Sequence, residues 1–282
     1  MDLERQVASH YGQKGLERTI LEALSASGKE AEKLSTADLS AVDEFHLGWH
    51  AATIELAKGV GLVPAMHVLD VGCGIGGPAR YFAEAHGCRV TGIDLTQEFV
   101  ETAEALTRRC GLAARVSFRQ ASALALPFDA GTFDAATLIH VGMNIGNKAG
   151  VFTEIGRVLK PGGRFGIYDI MRMGEGELPY PMPWAATPDT SFVEPPESYR
   201  RALAHAGFEI EKEQSRRDLA LTLGREMRGN VEKGRRAPDG SPPADGLGGA
   251  GAAWERDDDA GTRRHCAHRD NRAQALTAQQ ES

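Results

Sequence analysis

The sequence predicts an α/β fold, a doubly wound and mostly parallel sheet with an N-terminal helical cap. Three observations lead there. Between Met66 and about Glu213, strand-like runs alternate with helical stretches, the pattern of βαβ units. The first run ends in a glycine loop that opens a helix. The fourth holds a continuous apolar segment, Ala135 to Ile139, as expected of a central strand covered on both faces.

In chain order, residues 1–64 read as a helical cap. Leu16, Ile20, Leu21 and Leu24 share one helical face; a polar stretch follows to about Asp43, and a second helical run passes through Ile54 and Leu56. The sheet domain is expected over 65–228. Its strands are His67 to Val71, Arg89 to Asp94, Val116 to Ala121, Phe133 to His140 and Arg164 to Asp169. Pro78 suits the first turn of the first intervening helix, and Gly87 its end. Thr96 is placed to cap the next helix, whose buried stripe is Phe99, Val100, Ala103 and Leu106. Pro195 to Ala206 reads as a helix closed by Gly207, with Phe208 to Glu211 an edge strand. From Asn230 to Ser282 the only large apolar residues are Val231, Leu247, Trp254 and Leu276. Such a segment buries too little surface to offset its ordering entropy, so 229–282 is expected to be disordered.

Composition narrows the function. The 282 residues are 41% hydrophobic and 25% charged, ordinary for a globular enzyme. Thirty-two Lys and Arg against 39 Asp and Glu leave a net charge of −7, with no basic patch for phosphate neutralisation, so nucleic acid is not the expected partner. No apolar run approaches the roughly 20 residues of a membrane helix. The start, Met1-Asp2-Leu3-Glu4-Arg5, has no signal-like character, and a cytoplasmic location is expected. Cys73, Cys88, Cys110 and Cys266 lack metal-ligand spacing and fit reduced thiols; no metal site is expected.

The chemistry concentrates at Val68-Leu69-Asp70-Val71-Gly72-Cys73-Gly74-Ile75-Gly76-Gly77. Gly72, Gly74 and Gly77 spell the G-x-G-x-x-G dinucleotide pattern, while Asp70, Gly72, Gly74 and Gly76 spell D-x-G-x-G-x-G. Either lets the backbone approach an adenosine ligand, and Asp94, at the end of the second strand, suits a ribose diol. Charge separates the two. A pyrophosphate would lie beside Asp70 with no cation in the loop, whereas a sulfonium and an ammonium favour that carboxylate.

The D-x-G-x-G-x-G loop, Leu126-Pro127-Phe128 before Phe133-Asp134, and Leu159-Lys160-Pro161-Gly162-Gly163 before a strand resemble, in this order, the motifs of class I S-adenosylmethionine-dependent methyltransferases, whose fold is Rossmann-like. The segments Asp43-Glu44-Phe45-His46, Gly76 to Tyr81 and His140 to Asn144 resemble the small-molecule branch with sarcosine/dimethylglycine N-methyltransferases; ubiquinone- and tocopherol-type methyltransferases share much of the pattern. The resemblance covers roughly residues 40 to 213. It implies that Asp70, Gly72, Gly74 and Gly76 back S-adenosylmethionine, that Asp94 binds its ribose, and that Leu95 packs on the adenine. Ser122 and Ala123 follow the third strand, where the family usually has an Asp facing the adenine amino group; Ser122 lacks that charge.

Methylation of a small molecule is therefore expected, first at an amine nitrogen, with carbon or oxygen of a quinol- or phenol-type acceptor as the alternative, or an inactive homologue that only binds cofactor. His140, at a strand end, is the candidate general base. His46, Asn144, Tyr168 (with Asp169 beside it) and Trp184 are expected around the acceptor, the last within a proline-rich lid from Leu178 to Pro196. A second departure lies at the C-terminus. The family inserts one more antiparallel strand between its edge and fifth strands, and no alternating apolar run for it follows Glu213. Either the sequence leaves its ancestral reading frame near Gly234 or the tail is genuine and the strand is dispensed with.

Overall fold

Four helices precede the sheet in the computed structural model, which describes residues 3–12, 15–218, 222 and 262–268. They are α1 (Leu3–Tyr11), α2 (Leu16–Ala26), α3 (Thr36–Asp43) and α4 (Trp49–Val60). Helix α2 turns Ile20 and Leu24 inward, as its spacing predicts. Helix α3 falls in the stretch expected to be a polar connection. It is set by local capping: Ser35 Oγ accepts from Asp38 N at 3.2 Å, and the Asp38 carboxylate accepts from Ser35 N at 2.9 Å. Helix α1 buries only Val7 within itself, which explains why periodicity does not reveal it.

Then come β1 (His67–Val71), α5 (Gly77–His86), β2 (Arg89–Asp94), α6 (Gln97–Arg109), β3 (Val116–Gln120), β4 (Phe133–Ile139), α7 (Lys148–Val158), β5 (Leu159–Asp169), α8 (Pro196–His205) and β6 (Phe208–Ser215). The strands and Pro78 and Gly87 fall where expected, within a residue or two; the main extensions are β5, which begins at Leu159, and β6, which runs on to Ser215. Thr96 does precede α6, but its side chain makes no cap; Asp94 Oδ1 accepts from Thr96 N instead, at 2.9 Å. In β5 the ladder to β4 skips from Phe133↔Leu159 to Ala135↔Arg164, so Lys160 to Gly163 bulge out.

The sheet order is β3-β2-β1-β4-β5-β7-β6. The first five positions are parallel, a doubly wound Rossmann-like arrangement. The seventh strand, β7 (Thr262–His268), runs antiparallel between β5 and β6, pairing Phe165 with Cys266 and Glu209 with Ala267. This corrects the expectation that 229–282 is disordered throughout and that this strand is missing. The gap between β5 and β6 presents two rows of backbone donors and acceptors that a polar segment satisfies as well as an apolar one. The helix-like residues beyond Leu219 and the rest of the tail lie outside the described residues.

Both faces are covered. Leu56 and Val60 of α4, Phe82 of α5 and Ala103 of α6 share one core with Val68, Val90 and Ala135. On the opposite face Leu69, Val71, Ile93 and Leu138 meet Val151, Phe152 and Ile155 of α7 and Leu203 of α8. The cap thus contributes to the sheet's own core through α4. Arg80 fastens the cap a second time: fully buried, it donates to Asp43 Oδ2 at 2.7 Å, Thr107 Oγ1 at 3.0 Å and Ile75 O at 2.8 Å. Among the described residues, no helix is long and apolar enough to cross a membrane.

Candidate active site at the carboxyl ends of the strands

The glycine loop is pinned against β2. Gly72 N and Cys73 N both donate to Ile93 O, at 2.8 and 2.9 Å. Gly72, Gly74 and Gly76 have φ of 71°, 52° and 87°, a region other residues seldom enter. Their surroundings differ. A Cβ on Gly72 would meet Val141 Cγ2 at 2.3 Å and one on Gly76 would meet Phe118 Cζ at 2.6 Å, so these two serve packing. A Cβ on Gly74 would meet nothing within 4 Å; it would stand in open space above the loop.

Two carboxylates flank that space. Asp94 Oδ2 accepts from Gly74 N at 3.0 Å while Oδ1 accepts from Thr96 N. The Thr96 hydroxyl and Leu95 N also hydrogen-bond this carboxylate, yet burial pushes it above its ordinary range. Asp70 is buried and accepts from Thr137 Oγ1 at 2.7 Å through Oδ1, whereas Oδ2 has no hydrogen-bond partner among the described residues. Burial pushes its pKa up to about 7, with the Thr137 hydrogen bond opposing. An orphaned buried carboxylate oxygen calls for a cationic donor, and a pyrophosphate would worsen its position. The donor set therefore fits S-adenosylmethionine, which Asp70, Gly74 and Asp94 would hold by its ammonium, its backbone side and its ribose. Leu95 follows β2 with its carbonyl held by Gln120 Nε2 at 2.9 Å. Ser122 and Ala123 form the turn after β3, where Ser122 Oγ accepts from Leu124 N at 3.1 Å and donates to Glu4 of α1.

Toward β4 and β5 the structure gathers three of the expected acceptor residues. The rings of His46, His140 and Tyr168 form a triangle with centroids 5.7, 5.3 and 5.9 Å apart. His140 ends β4 with φ 52°, a strained setting for a non-glycine residue at a strand terminus. Burial, then the nearby His46, hold its imidazole well below the usual range, so the ring is neutral at pH 7. His46 is itself buried, and its Nε2 lies 2.7 Å from Glu44 Oε2 and 3.0 Å from Thr53 Oγ1. Thr53 Oγ1 donates to the same Glu44 oxygen at 2.7 Å, and His50 Nδ1 lies 3.0 Å from the other. Although burial opposes it, these hydrogen bonds hold the Glu44 carboxyl down to about 2, so it is ionised.

The other expected acceptor residues lie elsewhere. Asn144 is in the turn after β4: Nδ2 donates to Trp184 O at 2.8 Å and Oδ1 accepts from Tyr11 Oη at 2.9 Å. Trp184 is buried in a small core of the lid with Met143, Ile170 and Met182, its Nε1 donating to Ser191 Oγ at 2.9 Å. Asp169, expected near the transferred methyl, is fully buried and accepts from Tyr199 Oη at 2.7 Å and Ile170 N at 2.9 Å; burial raises it to about 6. It braces the turn after β5 rather than facing the ring triangle. Sequence reasoning missed Tyr11 and Glu4, which sit on a helix without apolar periodicity, and the role of Glu44, for which the adjacent His46 was the available signal.

Comparison with known proteins agrees with this geometry. Residues 69–167 match the family described as "Methyltransferase domain". A sterol 24-C-methyltransferase of Gibberella zeae is 41% identical over 114 residues, 40% of this chain and 30% of the relative. One from Eremothecium gossypii is 34% identical over 169 residues, 58% of this chain and 45% of the relative. The chain thus spans less than half the length of these curated relatives. Among solved structures, geranyl diphosphate C-methyltransferase from Streptomyces coelicolor superposes with a TM-score of 0.71 at 17% identity, covering 95% of this chain and 98% of that one. Phosphoethanolamine N-methyltransferase 2 of Haemonchus contortus gives 0.67 at 22% identity, covering 83% of this chain and 57% of that one. At these identities the structural likeness shows the fold.

Proposed function

We propose, on the premise that residues 69–167 are a methyltransferase domain, that this chain transfers a methyl group from S-adenosylmethionine to a small-molecule acceptor that gives up a proton in the reaction. When bound, the cofactor supplies an electrophilic methyl on a sulfonium for in-line displacement. The single observation that carries the choice of acceptor is the Glu44–His46 pair, which borders the ring triangle. An ionised, buried carboxylate on Nε2 fixes the orientation of the His46 ring, whose Nδ1 lies 3.4 Å from Leu47 O, and the pair as a unit serves as the proton acceptor. His140, neutral and stacked on Tyr168 with planes 29° apart, walls the pocket and offers an uncharged ring face to the acceptor. Positioning against the methyl supplies most of the catalysis, an effect worth about 7–11 kcal/mol in well-oriented reactions.

An amine needs only a free lone pair, so a carbon or hydroxyl acceptor uses this pair more fully, and the curated relatives named as sterol 24-C-methyltransferases support carbon. Purified protein should be incubated with methyl-labelled S-adenosylmethionine and pools of alkene, phenol or quinol, and amine acceptors. We expect label in an alkene or hydroxyl product, with Glu44→Gln lowering kcat about 100-fold, within the range for general base catalysis. Label confined to amines, with the Glu44→Gln rate unchanged, would refute the assignment of the pair as base. The expectation that an amine is the first acceptor is then restored.

A further inference from the structure

The structure assigns Glu4 of α1 as the group that reads the exocyclic amino group of the cofactor's adenine, a specificity-determining carboxylate delivered by the cap helix. The assignment rests on the cofactor reading given above. In the sheet order β3-β2-β1-β4-β5, Asp94 ends β2 and the acceptor triangle stands at the ends of β4 and β5. A nucleoside with its diol on Asp94 and its 5′ substituent directed to the acceptor places its base on the remaining side, at the end of β3. The turn found there is Ser122 to Ala125.

Ser122 alone recognises an amino group poorly. Its one proton goes to the Glu4 carboxylate and a lone pair of Oγ is taken by Leu124 N. Glu4 brings an acceptor-only group to the same place, 118 positions away in sequence from the residue it touches. Its other carboxylate oxygen has no hydrogen bond among the described residues. An exocyclic amino group is a pure donor, so the two are complementary.

The helix is held in register by its other end. Tyr11 Oη donates to Asn144 Oδ1 at 2.9 Å, the Tyr11 ring meets Phe99 at 6.0 Å between centroids, and His10 Nε2 lies 3.3 Å from Pro183 O. Seven residues of helix span about 10 Å, so α1 bridges from the turn after β4 to the turn after β3. The carboxylate that Ser122 does not provide is thus returned by a separate element of the chain.

The test compares calorimetric binding of S-adenosylhomocysteine and S-inosylhomocysteine, which carries a carbonyl where adenine has its amino group, to the full chain. Wild type is expected to favour the adenosyl ligand at least tenfold. Glu4→Gln should lose about tenfold for the adenosyl ligand and little for the inosyl one, and Glu4→Ala should lose more. Ser122→Asp in the Glu4→Ala background should restore the preference, which a lost helix anchor could not do. If Glu4→Gln weakens both ligands equally, or leaves the preference intact, the assignment fails while the cofactor reading stands. If wild type binds neither ligand, both fail.

Discussion

Asp70 gives the sharpest quantitative handle, because one substitution should move two measurements in opposite directions. Its carboxyl is raised from 3.8 to about 7 in the folded protein, burial being the main cause. Between those values the folded state holds a proton that the unfolded state has released, so stability falls as pH rises through the window. At about 1.36 kcal/mol per pH unit, the full effect is about 4 kcal/mol, of which about 2 kcal/mol falls between pH 5.5 and 7. Asp70→Asn keeps an acceptor for Thr137 Oγ1 and abolishes the titration. Its amide N–H group replaces the orphaned oxygen and goes unpaired, at a cost of about 1–3 kcal/mol. The variant should therefore gain on wild type steadily from pH 5.5 to 7 and level off above. For S-adenosylhomocysteine the sign reverses. Losing a charge-assisted hydrogen bond of about 1.5–3 kcal/mol weakens binding about 10- to 100-fold at pH 8. Wild-type binding should release protons near pH 7, seen as a heat that depends on buffer ionisation enthalpy. Urea unfolding curves of the two proteins that stay parallel within about 0.5 kcal/mol across this pH range would refute the argument.

Gly74→Ala has space for its Cβ, so it should cost only about 1–2 kcal/mol of stability for its left-handed backbone, yet abolish measurable S-adenosylhomocysteine binding in calorimetry; retained binding would show that nothing lies over the loop. Arg80→Met leaves Asp43 buried without its cation and should cost about 3–5 kcal/mol by chemical denaturation, with a loss below about 1 kcal/mol contradicting the role given to the pair. Gly142→Ala would bring a Cβ within 2.2 Å of Asp169 Oδ2 and 2.5 Å of Tyr199 Oη. Overpacking of about 1–3 kcal/mol is expected in thermal unfolding, and Tyr199→Phe should not relieve it, because Asp169 Oδ2 is the nearer obstacle and loses its Tyr199 hydrogen bond.

The parallel core was legible because its signals are local. Alternating strand and helix periods, Pro78 and Gly87 at the ends of α5, and a glycine loop beside two carboxylates each depend on a few consecutive residues. The proposed cofactor residues could be named for the same reason: Asp70 and Asp94 lie on strands, and Gly74 in a loop, whose positions the pattern predicts. What escaped depends on distant partners. Glu4 and Tyr11 acquire meaning only through Ser122 and Asn144, and α1 shows no apolar stripe of its own. Trp184 and Asp169 looked like pocket residues by position, but their hydrogen bonds turn them into the lid and toward Tyr199. Strand β7 escaped because its place is determined by the gap it fills rather than by alternation in Thr262 to His268.

That gap has a consequence for biosynthesis. The strand that joins β5 to β6 is the last of the seven to be made, roughly 50 residues after β6 is complete. At about 5–20 residues per second, a nascent chain spends several seconds with β5 and β6 both translated and no partner between them. Over that interval two unpaired edges, one of them lined by the Phe165 and Ile167 backbone, are open to other chains on the same polysome. Yield during synthesis, more than stability once folded, is where changes near residues 262–268 should first be felt.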